Sequence, residues 1–210
     1  MGFILEGCAE AVNLLASGDE QTYSAVWTTV RTTTASLAAS VAIGAPLGFC
    51  LAHYDFPGKG GVRLAVDTLL SLPTVVIGLL AYAMFTARGP LGGMGLLFTV
   101  PGMAAAQTVL ALPIVVALTA NGVQALDQRL TPTLKTLGAS PLALARTTIY
   151  EARHALLLAA ATAYGRVVSE VGISMMIGGN IKWHTRTVTT AIALETGKGE
   201  FARGIALGAV

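Results

Sequence analysis

Thr131-Pro132-Thr133-Leu134-Lys135-Thr136-Leu137-Gly138-Ala139-Ser140-Pro141 is the centre of a polar insert, residues 127–154, in an otherwise apolar chain. Thr131 reads as the cap of a helix whose first residue is Pro132, a position where proline loses no needed N–H. Leu130, Leu134 and Leu137 recur at i, i+4 and i+7, an apolar helical stripe. Gly138 falls where a helix end favours positive φ. Ser140-Pro141 repeats the cap-and-proline start, with Leu142, Ala145 and Ile149 on one face of a second helix. The stretch therefore specifies two short helices meeting at an elbow. A docking surface for a soluble partner and a plain helical connector both fit that pattern.

The rest of the chain decides what the insert interrupts. Of 210 residues, 54% are hydrophobic and only 11% charged, against roughly 25% charged in ordinary soluble domains. This is a membrane composition. A net charge of +2 gives no argument for nucleic acid. Cys8 and Cys50 lack ligand spacing and read as small buried apolar residues. His53, His154 and His184 form no metal-spaced cluster, so no metal or resident cofactor is expected. Glu6 and Glu10 stand where a secretory signal would carry a basic flank.

Crossing ~30 Å of hydrocarbon takes about 20 mainly apolar residues. Residues 1–17, with Glu6, Glu10, Asn13 and Ser17 set against Ile4, Leu5, Val12, Leu15 and Ala16, predict an amphipathic helix on the membrane surface. Spans are expected at about Ser24–Leu51, Val62–Thr86 with Pro73 inside it, Val100–Leu126 with Pro113, and Ala155–Gly178. A fifth starts near Phe201 and reads as truncated at Val210. Gly44-Ala-Pro46-Leu-Gly48 has a spacing that permits close helix approach. Lys59 and Arg63, then Arg129, Lys135, Arg146 and Arg153, put the insert in the cytoplasm and the N-terminus outside. Lys182, Arg186 and Lys198 then fall outside, against the rule, where they could attract an anion.

Arg166 and Glu170 lie one helical turn apart within the fourth span. Charges at such depth pair with each other or face a wet interior, so a packing ion pair and a translocation gate are both open readings. Arg63 and Asp67 read as an interfacial pair. Ser169 beside Glu170 lacks a nearby base histidine, which argues against a hydrolase. No phosphate-cradling glycine loop with its lysine occurs in the chain. Any ATP-driven activity therefore needs a separate ATPase, and the insert is the one sizeable place for it to dock.

The insert resembles the cytoplasmic coupling loop of ABC-importer permeases: Gly138, within Leu137-Gly138-Ala139-Ser140, matches that loop's glycine, while Pro132-Thr133-Leu134 stands where the family reads Glu-Ala-Ala. Arg166-Val-Val-Ser-Glu170-Val-Gly172, Gly178-Gly179-Asn180, Thr185-Arg186-Thr187 and Thr189-Thr190 are similar to permeases for group-6 oxyanions, nearest the tungstate type, with molybdate and sulfate permeases as relatives. The resemblance implies an all-α polytopic transmembrane bundle of the ABC type I importer kind, forming a single permease domain over 1–210. It implies a second copy of the chain, a cytoplasmic ATPase dimer using ATP and Mg, a periplasmic or lipid-anchored binding protein, and multi-pass residence in the cytoplasmic (inner) membrane. It points to Leu137, Gly138, Ala139 and Ser140 for ATPase coupling. It points to Arg166, Ser169, Glu170, Asn180, Thr185, Thr187, Thr189 and Thr190 for the path or gate. A permease for another solute and a stand-alone membrane enzyme using Glu170 and Arg166 are the competing readings.

Overall fold

The computed structural model describes residues 2–127 and 129–210, with residues 2–6 as backbone alone. Its regular elements are all helical: α1 (Gly2–Ala16), α2 (Glu20–His53), α3 (Lys59–Leu70), α4 (Thr74–Phe85), a 3₁₀ turn at Gly92–Met94, α5 (Val100–Gln124), α6 (Leu130–Thr136), α7 (Pro141–Glu151), α8 (Arg153–Val168), α9 (Gly172–Gly178), α10 (Val188–Gly197) and α11 (Phe201–Ala209). The all-α expectation holds.

Among the described residues α2 and α5 are long and apolar enough to cross a membrane unbroken, and α3 with α4 and α8 with α9 qualify only as bent pairs. Pro46 and Pro113 sit inside continuous helices. Pro73 does not: it is extended, with φ −60° and ψ 130°, and precedes α4. Proline removes an N–H and disfavours helical geometry in the residue before it, so the second expected span is two helices rather than one kinked one. The fourth breaks at Ser169–Val171 for a reason that lies in Glu170. α10 and α11 are each too short to span alone.

The chain forms two compact units, Met1–Ser36 with Pro73–Gln107 and Arg166–Val210, and Leu37–Leu72 with Thr108–Gly165. In the first, α1 packs on α11, α11 on α10, and α4 on α9. A Cβ on Gly7 would lie 2.7 Å from Ile205 Cγ2, so glycine sets the closeness of α1 and α11. The side chains of Ile4, Leu5 and Glu6, used to predict the amphipathic pattern, lie outside the described residues. Met103, Val167, Ile173 and Ile177 are buried here, and Gly178 makes room for Met103.

The buried face of α2 in this unit is hydroxylic: Thr22, Thr28, Thr29, Thr32, Thr33 and Ser36 are all buried. Their three- and four-residue spacing is that of one helix face. Thr29 and Thr32 return their hydroxyl protons to the carbonyls of Ala25 and Thr28, at 2.8 and 2.7 Å. That local bond satisfies a small polar side chain without water.

In the second unit the same face of α2 turns to glycine. A Cβ on Gly48 would come within 2.6 Å of the Val116 carbonyl, and one on Gly44 within 3.0 Å of Val115, so the predicted small-residue spacing is a close approach of α2 to α5. Leu51, Val116 and Ala120 form an apolar cluster beside it. Arg63 donates to Asn121 Oδ1 and Gln124 Oε1 at 2.6 and 2.7 Å, which corrects its expected pairing with Asp67. Two carboxamides on α5 offer the guanidinium two matched acceptors. Cys8 and Cys50 are exposed rather than buried; a lipid-facing surface is a second apolar environment for a thiol, so apolarity alone does not place it inside.

Candidate transport path and coupling insert

In the first unit, Glu170 organises the break between α8 and α9. Its Oε2 accepts from Arg166 Nη1 at 3.0 Å, and its Oε1 accepts from the Ile173 backbone N–H at 3.2 Å. One carboxylate thus holds the last turn of α8 and satisfies a donor that the start of α9 leaves open. Thr189 Oγ1 donates to the Glu170 carbonyl at 3.0 Å. The Glu170 side chain is 3% exposed and that of Arg166 is 41% exposed, so the acid is locked in and the guanidinium keeps an open side. A Cβ on Gly172 would stand 3.2 Å from Glu170 Oε1; glycine there lets the carboxylate lie against the helix start.

The segment from Gly178 to Thr190 is a second piece of the same unit. Thr185 Oγ1 donates to the Gly178 carbonyl and accepts from the Ile181 N–H. Arg186 Nε donates to Asn180 Oδ1 at 3.1 Å. Thr187 and Thr190 form a reciprocal capping box at the start of α10, and Thr29 Oγ1 accepts from the Val188 N–H at 3.0 Å. Thr185, Thr187 and Thr190 are buried, and Asn180 and Thr189 are half-buried. The structure therefore gathers Arg166, Glu170 and Thr189 at one junction and Asn180 with Thr185 in the loop that follows. The Ser169 hydroxyl is exposed and donates to the Arg166 carbonyl at 3.1 Å. Both Glu170 oxygens are engaged, which leaves that carboxylate poorly placed for general acid–base work. The sequence reading missed the α2 hydroxyl face and the capping box; the 3–4 spacing of Thr22, Thr29, Thr32 and Ser36 was the available signal.

In the second unit, α6 and α7 meet at Gly138, whose φ is +76°. Ser140 is the N-cap of α7 and accepts from the Ala143 N–H at 3.3 Å, with Pro141 in the first turn. These follow the expectation. The start of α6 does not: the helix begins at Leu130 and Thr131 is not its cap. Asp127 supplies the turn instead, its Oδ1 accepting from the Arg129 N–H at 2.8 Å. Proline is tolerated one or two places further in because first-turn N–H groups have no helical partner. Gln128, inside the expected insert, lies outside the described residues. The buried face of α7 carries Leu144 and Thr148, whereas Leu142 is 79% and Ile149 44% exposed. Leu137, at the elbow, is 77% exposed. Of the expected apolar positions, Leu137, Leu142 and Ile149 are exposed, while Leu130 and Leu134 are half-buried.

Residues 44–196 match the family described as the binding-protein-dependent transport system inner membrane component. The whole chain is 48% identical to the tungstate uptake system permease protein TupB of Campylobacter jejuni, covering 88% of that protein. It is 36% identical, again over its whole length and 92% of the relative, to the TupB of Peptoclostridium acidaminophilum. A probable anion ABC transporter permease protein of Haloferax volcanii is 40% identical over 84% of this chain and 78% of its own. The helical bundle with its bent apolar pairs, the glycine elbow and the full-length matches agree: this chain belongs to the inner membrane component family of binding-protein-dependent transport systems, and is an ABC transporter permease subunit rather than an enzyme.

Proposed function

We propose that the chain is the permease of an ATP-driven importer carrying tungstate across the cytoplasmic membrane. The observation that carries this reading is similarity over the full length to two permeases named for tungstate uptake. A molybdenum permease of Azotobacter vinelandii is 33% identical over 71% of the chain, which ranks molybdate as the second substrate to test. Two copies of the chain form the path. An ATPase dimer using ATP and Mg docks on Leu137, Gly138, Ala139 and Ser140 from the cytoplasm, and a binding protein delivers the anion on the side where the N-terminus lies. The exposure of Leu137 and Leu142 supports such docking, because isolated apolar residues on a polar insert suit a partner's pocket.

Within the path set, Arg166 and Ser169 have an open side that can meet an ion in transit. Thr185, Thr187 and Thr190 act by holding the loop whose backbone lines the way. Weak, multiple contacts suit conduction better than one tight site. The experiment is radiolabelled tungstate accumulation in cells lacking their own uptake system, complemented with this chain, its ATPase and its binding protein. Accumulation that requires all three is expected. Accumulation of molybdate but not tungstate by the same strain would contradict the substrate assignment.

A further inference from the structure

The first unit holds a cavity of about 460 Å³ lined by α2, the segment around residues 94–101, and the loop at Trp183–His184. Its wall carries two basic side chains, Arg31 and His184, and no carboxylate. Neither basic group has a hydrogen bond or ion pair from its side chain among the described residues. Thr28 also lines the cavity, is only 6% exposed, and its hydroxyl makes no hydrogen bond among the described residues. The Thr28 Oγ1 atom is not sealed off, so its hydroxyl opens onto the cavity. Arg31 and His184 are exposed, so the cavity presents accessible polar side chains without an acid to pair them.

The loop that brings His184 and Trp183 to the cavity is held under strain. Trp183 has φ +68° and Asn180 φ +50°, and positive φ in a bulky residue marks a conformation that its surroundings enforce. The enforcement is visible: the Ile181 carbonyl accepts from the N–H groups of His184, Thr185 and Arg186 at 3.1, 3.0 and 3.0 Å. Lys182 Nζ stands 5.1 Å from the Trp183 ring centroid, a cation beside one wall residue. Trp27 and Trp183 line the cavity and are themselves exposed.

We infer that this cavity is a receiving site for a tetrahedral oxyanion, with Arg31 as the main charged donor and Thr28 and His184 as orienting groups. A planar guanidinium matches such an ion with two parallel hydrogen bonds. The shared chemistry fits either a free oxyanion on its way into the path or the phosphate of a lipid headgroup, since arginine and tryptophan also favour membrane interfaces. The free-ion source rests on the proposed import function; the site itself does not.

The chain contains two tryptophans, and both line this cavity, so intrinsic emission of the full-length permease reports on it directly. Purified permease in a maltoside detergent is titrated with sodium tungstate, with sodium chloride at matched ionic strength as control. A saturable change with tungstate alone is expected. Arg31→Gln should weaken it about tenfold or more, the scale of one charge-assisted bond. Arg31→Lys should weaken it less, and His184→Gln by a smaller factor, with helical circular dichroism unchanged in all three. A parallel titration uses dihexanoyl phosphatidic acid. Saturation by that lipid and not by tungstate keeps the oxyanion site and overturns its link to transport. No saturable change with either, or the same affinity in Arg31→Gln, overturns the site. In the assembled wild-type complex, ATPase stimulation by tungstate-loaded binding protein tests the import reading separately: stimulation with a silent titration sinks the cavity alone.

Discussion

At the scale of single residues, the junction at Glu170 makes the sharpest claim. Its carboxylate carries both the Arg166 pair and the Ile173 N–H, so Glu170→Ala leaves a guanidinium and a backbone donor unserved. A loss of about 2–3 kcal/mol is expected, seen as a lower thermal midpoint in detergent. Arg166→Ala should cost as much or more, because it leaves a carboxylate only 3% exposed without its counter-charge; a negligible loss would show that the pair contributes little. Asp19 accepts from the Thr22 hydroxyl and N–H at 2.6 and 2.8 Å. The Thr22 hydroxyl foremost, opposed by burial and aided by the Thr22 N–H and the charges of Arg203 and Lys182, holds the Asp19 carboxyl below its ordinary 3.8. Such a group stabilises the fold above the ordinary value and loses that contribution as pH falls through the lowered one. Asp19→Ala should therefore flatten acid-side stability below about pH 4 and leave the neutral region's slope unchanged, as chemical denaturation across pH would show. At this scale the sequence was legible where partners are near neighbours. Arg166 and Glu170 meet because i and i+4 must. Arg63 chose Asn121 and Gln124 over Asp67, a choice set by residues some sixty places away that no local spacing announces.

At the scale of elements, the elbow at Gly138 was legible and the broken spans were not. A residue at φ +76° favours glycine for a local reason, as did the Ser140-Pro141 start. Hydropathy, by contrast, reads continuously through Pro73 and Glu170, because a break leaves composition untouched. A Cβ at Gly138 would meet no atom within 4 Å, so any cost there is purely backbone. Gly138→Pro cannot reach that φ and loses the N–H that donates to the Lys135 carbonyl at 3.0 Å. It should abolish uptake with membrane insertion intact. Gly138→Asn, which tolerates the left-handed region, should retain most of it. Equal uptake by both would remove the coupling role of the elbow. On α2, Gly48→Val places carbon within 2.6 Å of a carbonyl. It should lower the yield of folded protein far more than Gly60→Val, where no atom lies within 4 Å, as gel-filtration recovery would measure.

At the scale of the whole molecule, transport direction and power come from the company the chain keeps. The family accounts for a membrane bundle without a phosphate loop, and the proposed function assigns ATPase docking to the exposed insert. The orientation proposed from lysine and arginine placement has a direct test: a protease-cleavable tag at the N-terminus should be cut in spheroplasts of intact membrane, while one inserted beside Gly138 should be cut only after lysis. The reverse pattern would invert the topology. The most direct test of the central claim is ATP hydrolysis by the complex of this chain, its ATPase and its binding protein, reconstituted in liposomes. Tungstate-loaded binding protein is predicted to raise the rate above that of the unloaded protein. An unchanged rate with tungstate, alongside stimulation by another solute, would contradict it.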